Sequence, residues 1–248
     1  MLRGILGLLF KLYIAIVFTV TLLIFYIPIV VLKSSDSTKK STFKFFVAWS
    51  WSVRILSFIR VKFIQKSNVP IGPYIVVCNH TSYFDIFLMY SIIPNHPFLF
   101  LGKSEILFYP LVKSFFKNLN IPVDRSNRRK SAQSFIAAKK AIKNDWSLVI
   151  FPEGGIPNDN NPVMIPFKEG AFLLAKSLNV PIVPMTFTNN YLLFSDPGNV
   201  FGPARPGVSR AYIHPTIVAA EVSKMDVKAL SDYVFKIVQQ PFVLEAKQ

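Results

Sequence analysis

The chain has little of the residues that build redox and metal sites. Its 248 residues include one cysteine, Cys78, and three histidines. A single cysteine excludes an internal disulfide and a CxxC metal site, so the composition fits a reducing compartment and we expect no metal ion. Acidic residues are also scarce, because 13 Asp and Glu stand against 28 Lys and Arg.

Apolar and positively charged residues occur together in excess. Hydrophobic residues make up 52% of the chain, and the formal net charge is +15. This combination excludes a disordered chain and indicates an anionic membrane surface or an anionic substrate. The positive charge is concentrated in residues 1–66 and 103–143, whereas residues 144–248 carry a small net negative charge. The internal basic stretch therefore needs an anionic partner of its own.

Two apolar stretches at the N-terminus predict a membrane anchor. Residues 12–32 are uncharged and long enough to cross ~30 Å of hydrocarbon, and no signal-peptide cleavage pattern follows. Residues 45–59 are interrupted by Arg54, which favours an interfacial or re-entrant helix. Pro28 and the polar residues 33–40 fit two helices joined by a turn.

We therefore predict a membrane-anchoring helical hairpin over residues 1–60. Basic residues flank both ends of the first apolar run, so the positive-inside rule gives it no clear orientation. A monotopic hairpin in one leaflet, on the cytoplasmic face, satisfies both flanks more easily. Two true spans and a plain transmembrane anchor stay open as alternatives.

From residue 61 onward, short apolar runs alternate with helix-like segments. Strands are predicted at residues 61–64, 75–78, 98–101, 148–151 and 182–187. Residues 131–143 and 168–178 show the spacing of amphipathic helices. The alternation predicts an α/β domain over residues 61–248, with a mixed, mostly parallel sheet flanked by helices.

The first chemical feature follows the strand that ends at Cys78. His80 stands at the strand end, and Asp85 begins the next helix. The intervening residues let the chain turn back, so the carboxylate can bind one imidazole nitrogen and raise the basicity of the other. The alternative is that Asp85 merely caps the helix. A hydrolase triad through Ser82 is disfavoured because no G-x-S-x-G motif is present, and Cys78 fits the core.

The second feature is a set of cations at predicted strand ends. Lys103 follows one strand, Arg125 follows a short strand-like segment, and residues 128–130 lead into the amphipathic helix as Arg-Arg-Lys. A guanidinium group suits a phosphate monoester, and cations at a helix N-terminus oppose the helix dipole, which disfavours a merely solvated stretch. Nucleic acid is not expected as a partner, since aromatic residues are not interleaved with these cations.

The third feature is Glu153, followed by Gly154 and Gly155, at the end of a buried strand. Paired glycines allow positive φ angles, and a carboxylate held there can orient a hydroxyl or ammonium group. A turn with an incidental glutamate is the alternative. Downstream, Pro181 and Pro184 flank a strand start, where fixed φ angles shape a pocket wall.

Together these features resemble the motifs of the glycerolipid acyltransferases. The matching elements, in order, are Asn79-His80-x4-Asp85, Asp124-Arg125, Phe151-Pro152-Glu153-Gly154 and Val180-Pro181-Ile182-Val183-Pro184. The resemblance covers roughly residues 60–215 and is greatest to the members that act on lysophosphatidic acid. Four motifs in the family order are far more specific than any one of them.

The resemblance implies a membrane-bound O-acyltransferase of phospholipid biosynthesis. His80, oriented by Asp85, takes the proton from the free hydroxyl of lysophosphatidic acid as that oxygen attacks the thioester of acyl-CoA or acyl carrier protein. No cofactor is implied beyond this acyl donor. Arg125 would bind the substrate phosphate and Glu153 the glycerol part, with backbone amides near Gly154 as candidate oxyanion donors.

The chain departs from the family pattern after the glutamate motif. Gly155 replaces the usual threonine and Ile156 replaces a frequent arginine, so one phosphate or headgroup contact is missing. Lys103, Arg128 and Lys168 are the candidates to replace it. The departure leaves open another lysolipid acceptor, such as a lyso-aminolipid. A non-catalytic lipid-binding protein and a hydrolase on the same scaffold are separate alternatives.

Overall fold

The computed structural model describes residues 2–32, 38–103, 120–123, 127–157, 161–196 and 198–245. The strands are β1 (Ile59–Lys66), β2 (Ile75–Cys78), β3 (Phe98–Lys103), β4 (Ile121–Val123), β5 (Ser147–Ile150), β6 (Ile182–Phe187) and β7 (Gly207–Ile213). The N-terminal helices are α1 (Leu2–Leu32) and α2 (Lys39–Leu56). The other helices are α3 (Phe84–Ile92), α4 (Arg128–Lys143), α5 (Gly170–Leu178), α6 (Asn190–Leu193), α7 (Ala219–Lys224) and α8 (Val227–Glu245).

The strands of the described residues form one sheet in the order β1-β7-β6-β2-β5-β3-β4. The β6–β7 pair is antiparallel and the other neighbouring pairs are parallel, which confirms the predicted mixed, mostly parallel α/β sheet. Strands β2, β5 and β6 are buried along their whole length, because helices cover both faces of the sheet. Strands β2, β5, β3 and β4 end at the same edge, here called the carboxyl edge.

The side chains of β2 divide the core into two layers. Val76 and Cys78 belong to an apolar cluster that includes buried residues of α1, α2 and α3. Ile75 and Val77 belong to a second cluster, which includes buried residues of α4, α5 and α8. Because successive strand residues point to opposite faces, α1 and α2 lie on one side of the sheet and α4, α5 and α8 on the other.

Helices α1 and α2 pack together, as predicted for the two apolar stretches. The indole Nε1 of Trp49 donates to Thr21 Oγ1 at 2.9 Å, and the Trp49 and Phe18 rings lie 5.5 Å apart between centroids. Helix α1 starts well before the predicted apolar run, and α2 lies a few residues N-terminal to the predicted 45–59 segment. Among the described residues, α1 is the one helix long and apolar enough to cross a membrane.

Arg54, the charged residue that interrupts the second apolar stretch, points toward the protein. Arg54 is only 9% exposed, and its Nη1 donates to Ser91 Oγ of α3 at 2.9 Å. The guanidinium also lies 4.1 Å from the centroid of the Trp51 ring, a cation–π contact. Burial against α3 therefore removes Arg54 from the outer surface of the hairpin.

One face of α1 lies against the domain near its N-terminal end, and the opposite face is exposed. A Cβ at Gly7 would approach Gly202 O to 3.0 Å, and Lys11 Nζ donates to the backbone oxygens of Asp196, at 3.2 Å, and Asn199. The exposed face is an apolar stripe along the whole helix. Its residues include Leu2, Ile5, Leu6, Leu9, Leu12, Ile16, Val20, Leu23, Ile27 and Val31.

Candidate active site

The loop between β2 and α3 brings His80 and Asp85 together at the carboxyl edge. The Nδ1 atom of His80 lies 3.0 Å from Oδ2 of Asp85, which is fully buried. The same oxygen accepts the backbone N–H groups of Thr81, at 2.8 Å, and Ser82, at 2.9 Å. A carboxylate at Nδ1 favours the tautomer with its proton there, which leaves the lone pair of Nε2 to act as a base.

The side chain of Asn190 also hydrogen-bonds to Asp85, a contact that the sequence analysis did not predict. Its Nδ2 donates to Oδ1 of Asp85 at 2.7 Å, and the residue is fully buried. Asn190 begins α6, shortly after β6, which lies next to β2 in the sheet. The end of β6 is itself fixed, since the Asn79 side chain exchanges two hydrogen bonds of 2.9 Å with the backbone of Phe187.

Glu153 joins the loop after β5 to the same site. Its Oε1 accepts the backbone N–H of His80 at 2.8 Å, and its Oε2 accepts that of Ile165 at 2.8 Å. Burial raises the pKa of Glu153, an effect that these two hydrogen bonds and His80 partly offset. Gly154 has φ of +87° and donates its N–H to Phe151 O at 3.1 Å, a turn that requires glycine.

Phe151, which directly follows β5, lies against the imidazole of His80. Its ring stacks on the His80 ring with centroids 4.2 Å apart and an angle of 15° between the planes. Phe100 of β3 stacks in turn on Phe151 at 6.0 Å. The phenylalanine of the third sequence motif was the signal that could have identified this contact.

The remaining predicted site residues make no hydrogen bond to the His80–Asp85 dyad among the described contacts, or fall outside the described part. Lys103 ends β3 at the carboxyl edge, but its side chain and the whole of Arg125 lie outside the described residues. Lys168 donates its backbone N–H to Pro152 O at 3.0 Å. Lys168 is one of the residues that line a cavity of about 210 Å³, with Pro152, Leu101 and residues of α4 and α5, on the far side of the sheet from Phe151.

Alternative nucleophiles near the dyad are already engaged or buried. Ser82 Oγ donates to Phe194 O at 2.6 Å and accepts the N–H of Phe84 at 3.1 Å. Cys78 is fully buried, and burial raises the pKa of its thiol well above the usual value. Within the described ranges, no three His, Cys, Asp or Glu residues are grouped to hold a metal ion. Of the described side chains, neither Ser82 nor Cys78 is placed as a covalent nucleophile, whereas His80 is placed as a general base.

Curated proteins with similar sequences carry consistent names. A 1-acyl-sn-glycerol-3-phosphate acyltransferase of Cocos nucifera is 37% identical over 120 residues, which cover 48% of this chain and 38% of that protein. The 1-acyl-sn-glycerol-3-phosphate acyltransferase of Saccharomyces cerevisiae is 32% identical over 152 residues, covering 60% and 50% respectively. The chain thus spans half or less of the length of these relatives.

The fold and the family follow from two further comparisons. The crystal structure of the 1-acyl-sn-glycerophosphate (LPA) acyltransferase PlsC from Thermotoga maritima superposes with a TM-score of 0.79 at 22% identity, over 99% of this chain and 98% of that one. This likeness establishes the α/β fold together with the N-terminal helix pair. A model of the family described as Acyltransferase matches residues 60–188, which include His80, Asp85 and Glu153. The chain belongs to the Acyltransferase family.

Proposed function

We propose that the chain is a 1-acylglycerol-3-phosphate O-acyltransferase. It transfers a fatty acyl group from acyl-CoA or acyl carrier protein to the free hydroxyl of lysophosphatidic acid, giving phosphatidic acid. The observation that carries this proposal is the His80–Asp85 pair, 3.0 Å apart, in a chain of the Acyltransferase family. The names of its relatives support the choice of acceptor.

In the proposed reaction His80 acts first as base and then as acid. Its Nε2 takes the proton of the acceptor hydroxyl while that oxygen attacks the thioester carbonyl carbon. The new C–O bond forms, the C–S bond breaks, and the imidazolium returns the proton to the departing thiolate. Asp85 stabilises the imidazolium and is itself stabilised by the N–H groups that surround it.

The substrate contacts are proposed by motif and position. Arg125 binds the phosphate of the acceptor, with Lys103 and Lys168 as further cations. The motif assigns Glu153 to the glycerol part; the residue is 3% exposed, and each of its carboxylate oxygens keeps a lone pair beyond the backbone bond that it accepts. The N–H of Gly154 already donates to Phe151 O, so an oxyanion donor is better sought among neighbouring amides.

We place the chain on the membrane through residues 1–60, with residues 61–248 as the catalytic domain. The exposed apolar stripe of α1 runs from Leu2 to Val31, whereas the opposite face of the helix packs on the protein. A helix lying along the bilayer surface buries such a stripe without pulling the domain into the hydrocarbon. The stripe supports a monotopic hairpin, and we assign it to the cytoplasmic face.

The test is product formation by wild-type protein and by His80→Ala. Purified protein in detergent is given acyl-CoA and a panel of lysolipids, and products are identified by mass spectrometry. We expect phosphatidic acid from lysophosphatidic acid, and a kcat lower by roughly 10²–10⁴ in His80→Ala. His96→Ala is the matched control, since His96 contacts Asp145, at 3.8 Å, rather than the dyad. Wild-type turnover by His80→Ala contradicts the mechanism.

The acceptor is tested separately, because Gly155 and Ile156 stand where the family usually has threonine and arginine. If lysophosphatidic acid is the acceptor, Arg125→Ala raises its KM and leaves the KM for the acyl donor unchanged. Preferential acylation of a lyso-aminolipid would instead favour the alternative acceptor. Free fatty acid as the sole acyl product would indicate a hydrolase. If no acceptor leads to cleavage of the thioester, the chain is a non-catalytic protein.

A further inference from the structure

The outer face of α4 combines positive charge with one exposed apolar side chain. Its residues recur at helical spacing and are all exposed. They are Arg129, Gln133, Ile136, Lys140 and Lys143, here called the basic face of α4. Helix α4 contains no acidic residue, and Ile136, at the centre of the face, is 66% exposed. Asp145, which follows the helix, is already paired with Lys40 at 2.8 Å.

The basic face points away from the proposed membrane hairpin. The inner side of α4 is fixed to the sheet by Ala138, which is fully buried, and by Ser134, whose Oγ donates to Pro122 O at 2.6 Å. The cluster that contains Ala138 lies on the opposite side of the sheet from the buried residues of α1 and α2. A partner of this face is therefore a soluble molecule rather than the bilayer that receives α1.

The basic face also leads to the carboxyl edge. Helix α4 follows β4, so its N-terminal end, with Arg129, lies at the edge where β2 delivers His80. Its other end, with Lys143, lies near the start of β5 at the opposite edge. From Arg129 to Lys143 the helix rises ~21 Å, a length that suits the surface of a protein better than the phosphates of a single nucleotide.

We infer that the basic face of α4 is the docking surface for an acidic acyl carrier protein that presents the acyl thioester. This inference rests on the proposed acyl transfer and names one donor for it. The cations complement an acidic partner and steer its approach, and Ile136 supplies the apolar centre that a protein interface buries. A carrier docked along α4 holds its prosthetic group toward the carboxyl edge, where the thioester meets His80.

The test compares two donors that bear the same acyl chain, acyl carrier protein and CoA. In Lys140→Glu and Ile136→Asp we expect the KM for acyl carrier protein to rise about tenfold or more. Lys140→Glu places a negative charge opposite the acidic carrier, and Ile136→Asp buries a carboxylate in the interface. The kcat and the KM for acyl-CoA stay within twofold of the wild type. Lys236→Glu is the matched control, since Lys236 is an exposed lysine of α8 on the same side of the sheet.

Holo-acyl carrier protein is also titrated calorimetrically against the full chain, which tests the docking surface without catalysis. Binding that weakens in Lys140→Glu and Ile136→Asp, but not in Lys236→Glu, supports the inference. Equal KM increases for both donors, unchanged values for both, or lost binding to anionic phospholipid vesicles would each overturn it. Failure of the proposed function is distinct, because the wild-type chain would then form no phosphatidic acid from either donor.

Discussion

Asn190 and Asp85 are joined by a buried hydrogen bond of 2.7 Å that links the His80–Asp85 pair to α6, the short helix that follows the neighbouring strand β6. Oδ2 of Asp85 is occupied by His80 and by two backbone N–H groups, whereas among the described residues the hydrogen bond to Oδ1 comes from Asn190. Two-sided support fixes the rotation of the carboxylate about its Cβ–Cγ bond. Asn190 is therefore a positioning residue, which acts on the substrate only through Asp85 and His80.

We expect Asn190→Ala to lower kcat about tenfold or more while leaving both KM values near the wild type. A hydrogen bond to a charged group is worth about 1.5–3 kcal/mol. If Asp85 is held less firmly in the transition state, the activation free energy rises by a similar amount and the rate falls. Steady-state kinetics with acyl-CoA and lysophosphatidic acid measures the split between kcat and KM.

Asn189→Ala is the control for this prediction. Asn189 is the adjacent buried asparagine, but its side chain bonds to the backbone of Val208 and Arg210, at 2.8 Å each. We expect Asn189→Ala to lower the unfolding temperature without the same fall in kcat. If both variants lose kcat equally, Asn190 has a structural role only.

Replacing Phe151 tests whether the stacked ring orients His80. Ring pairs of this kind contribute about 0.5–1.5 kcal/mol, so we expect Phe151→Leu to lower kcat roughly 2–10-fold. Phe151→Tyr keeps the ring face and should retain most of the activity. Equal losses in the leucine and tyrosine variants would show that the size of the side chain matters here and the stacking does not.

The fold was predictable wherever a single segment had a recognisable hydrophobic pattern. The five apolar runs correspond to β1, β2, β3, β5 and β6, and two amphipathic patterns correspond to α4 and α5. Strand β7 was missed because Gly207–Ile213 has no apolar run, only a mixed order of small, polar and apolar residues. Helix α8 was missed as well, although its buried residues recur at helical spacing.

The site was predictable only where its residues lie close together in the sequence. His80 and Asp85 are five residues apart, so their spacing alone implies a turn that joins them. Asn190 lies 105 residues from Asp85, and Glu153 lies 73 residues from His80. Both contacts depend on β2 lying between β6 and β5 in the sheet, an order that local sequence patterns do not contain.

Membrane binding should depend on the outer stripe of α1. Ile16 is 63% exposed at the middle of that stripe, so Ile16→Asp places a carboxylate where the helix meets hydrocarbon. We expect less protein to sediment with anionic phospholipid vesicles, while its circular dichroism stays unchanged. Ile136→Asp is the control, because Ile136 is 66% exposed on the opposite side of the sheet and should leave vesicle binding intact.

Stability should fall in mild acid because of His214, away from the active site. His214 is 3% exposed, and burial lowers its pKa to about 4. Its Nε2 lies 2.8 Å from Thr186 Oγ1, whose hydroxyl donates to Val238 O at 2.9 Å, so the neutral ring donates from Nε2.

The unfolded chain binds a proton at His214 near pH 6.5, whereas the folded chain resists it until about pH 4. The stability contribution of the neutral ring is therefore complete above pH 6.5 and declines as the pH falls toward 4. Between pH 7.5 and 5 the expected loss is about 2 kcal/mol. Thermal unfolding in detergent should show a smaller loss over this range in His214→Gln, whose amide keeps a donor for Thr186 but does not titrate. An equal loss in both proteins would assign the acid sensitivity to other groups.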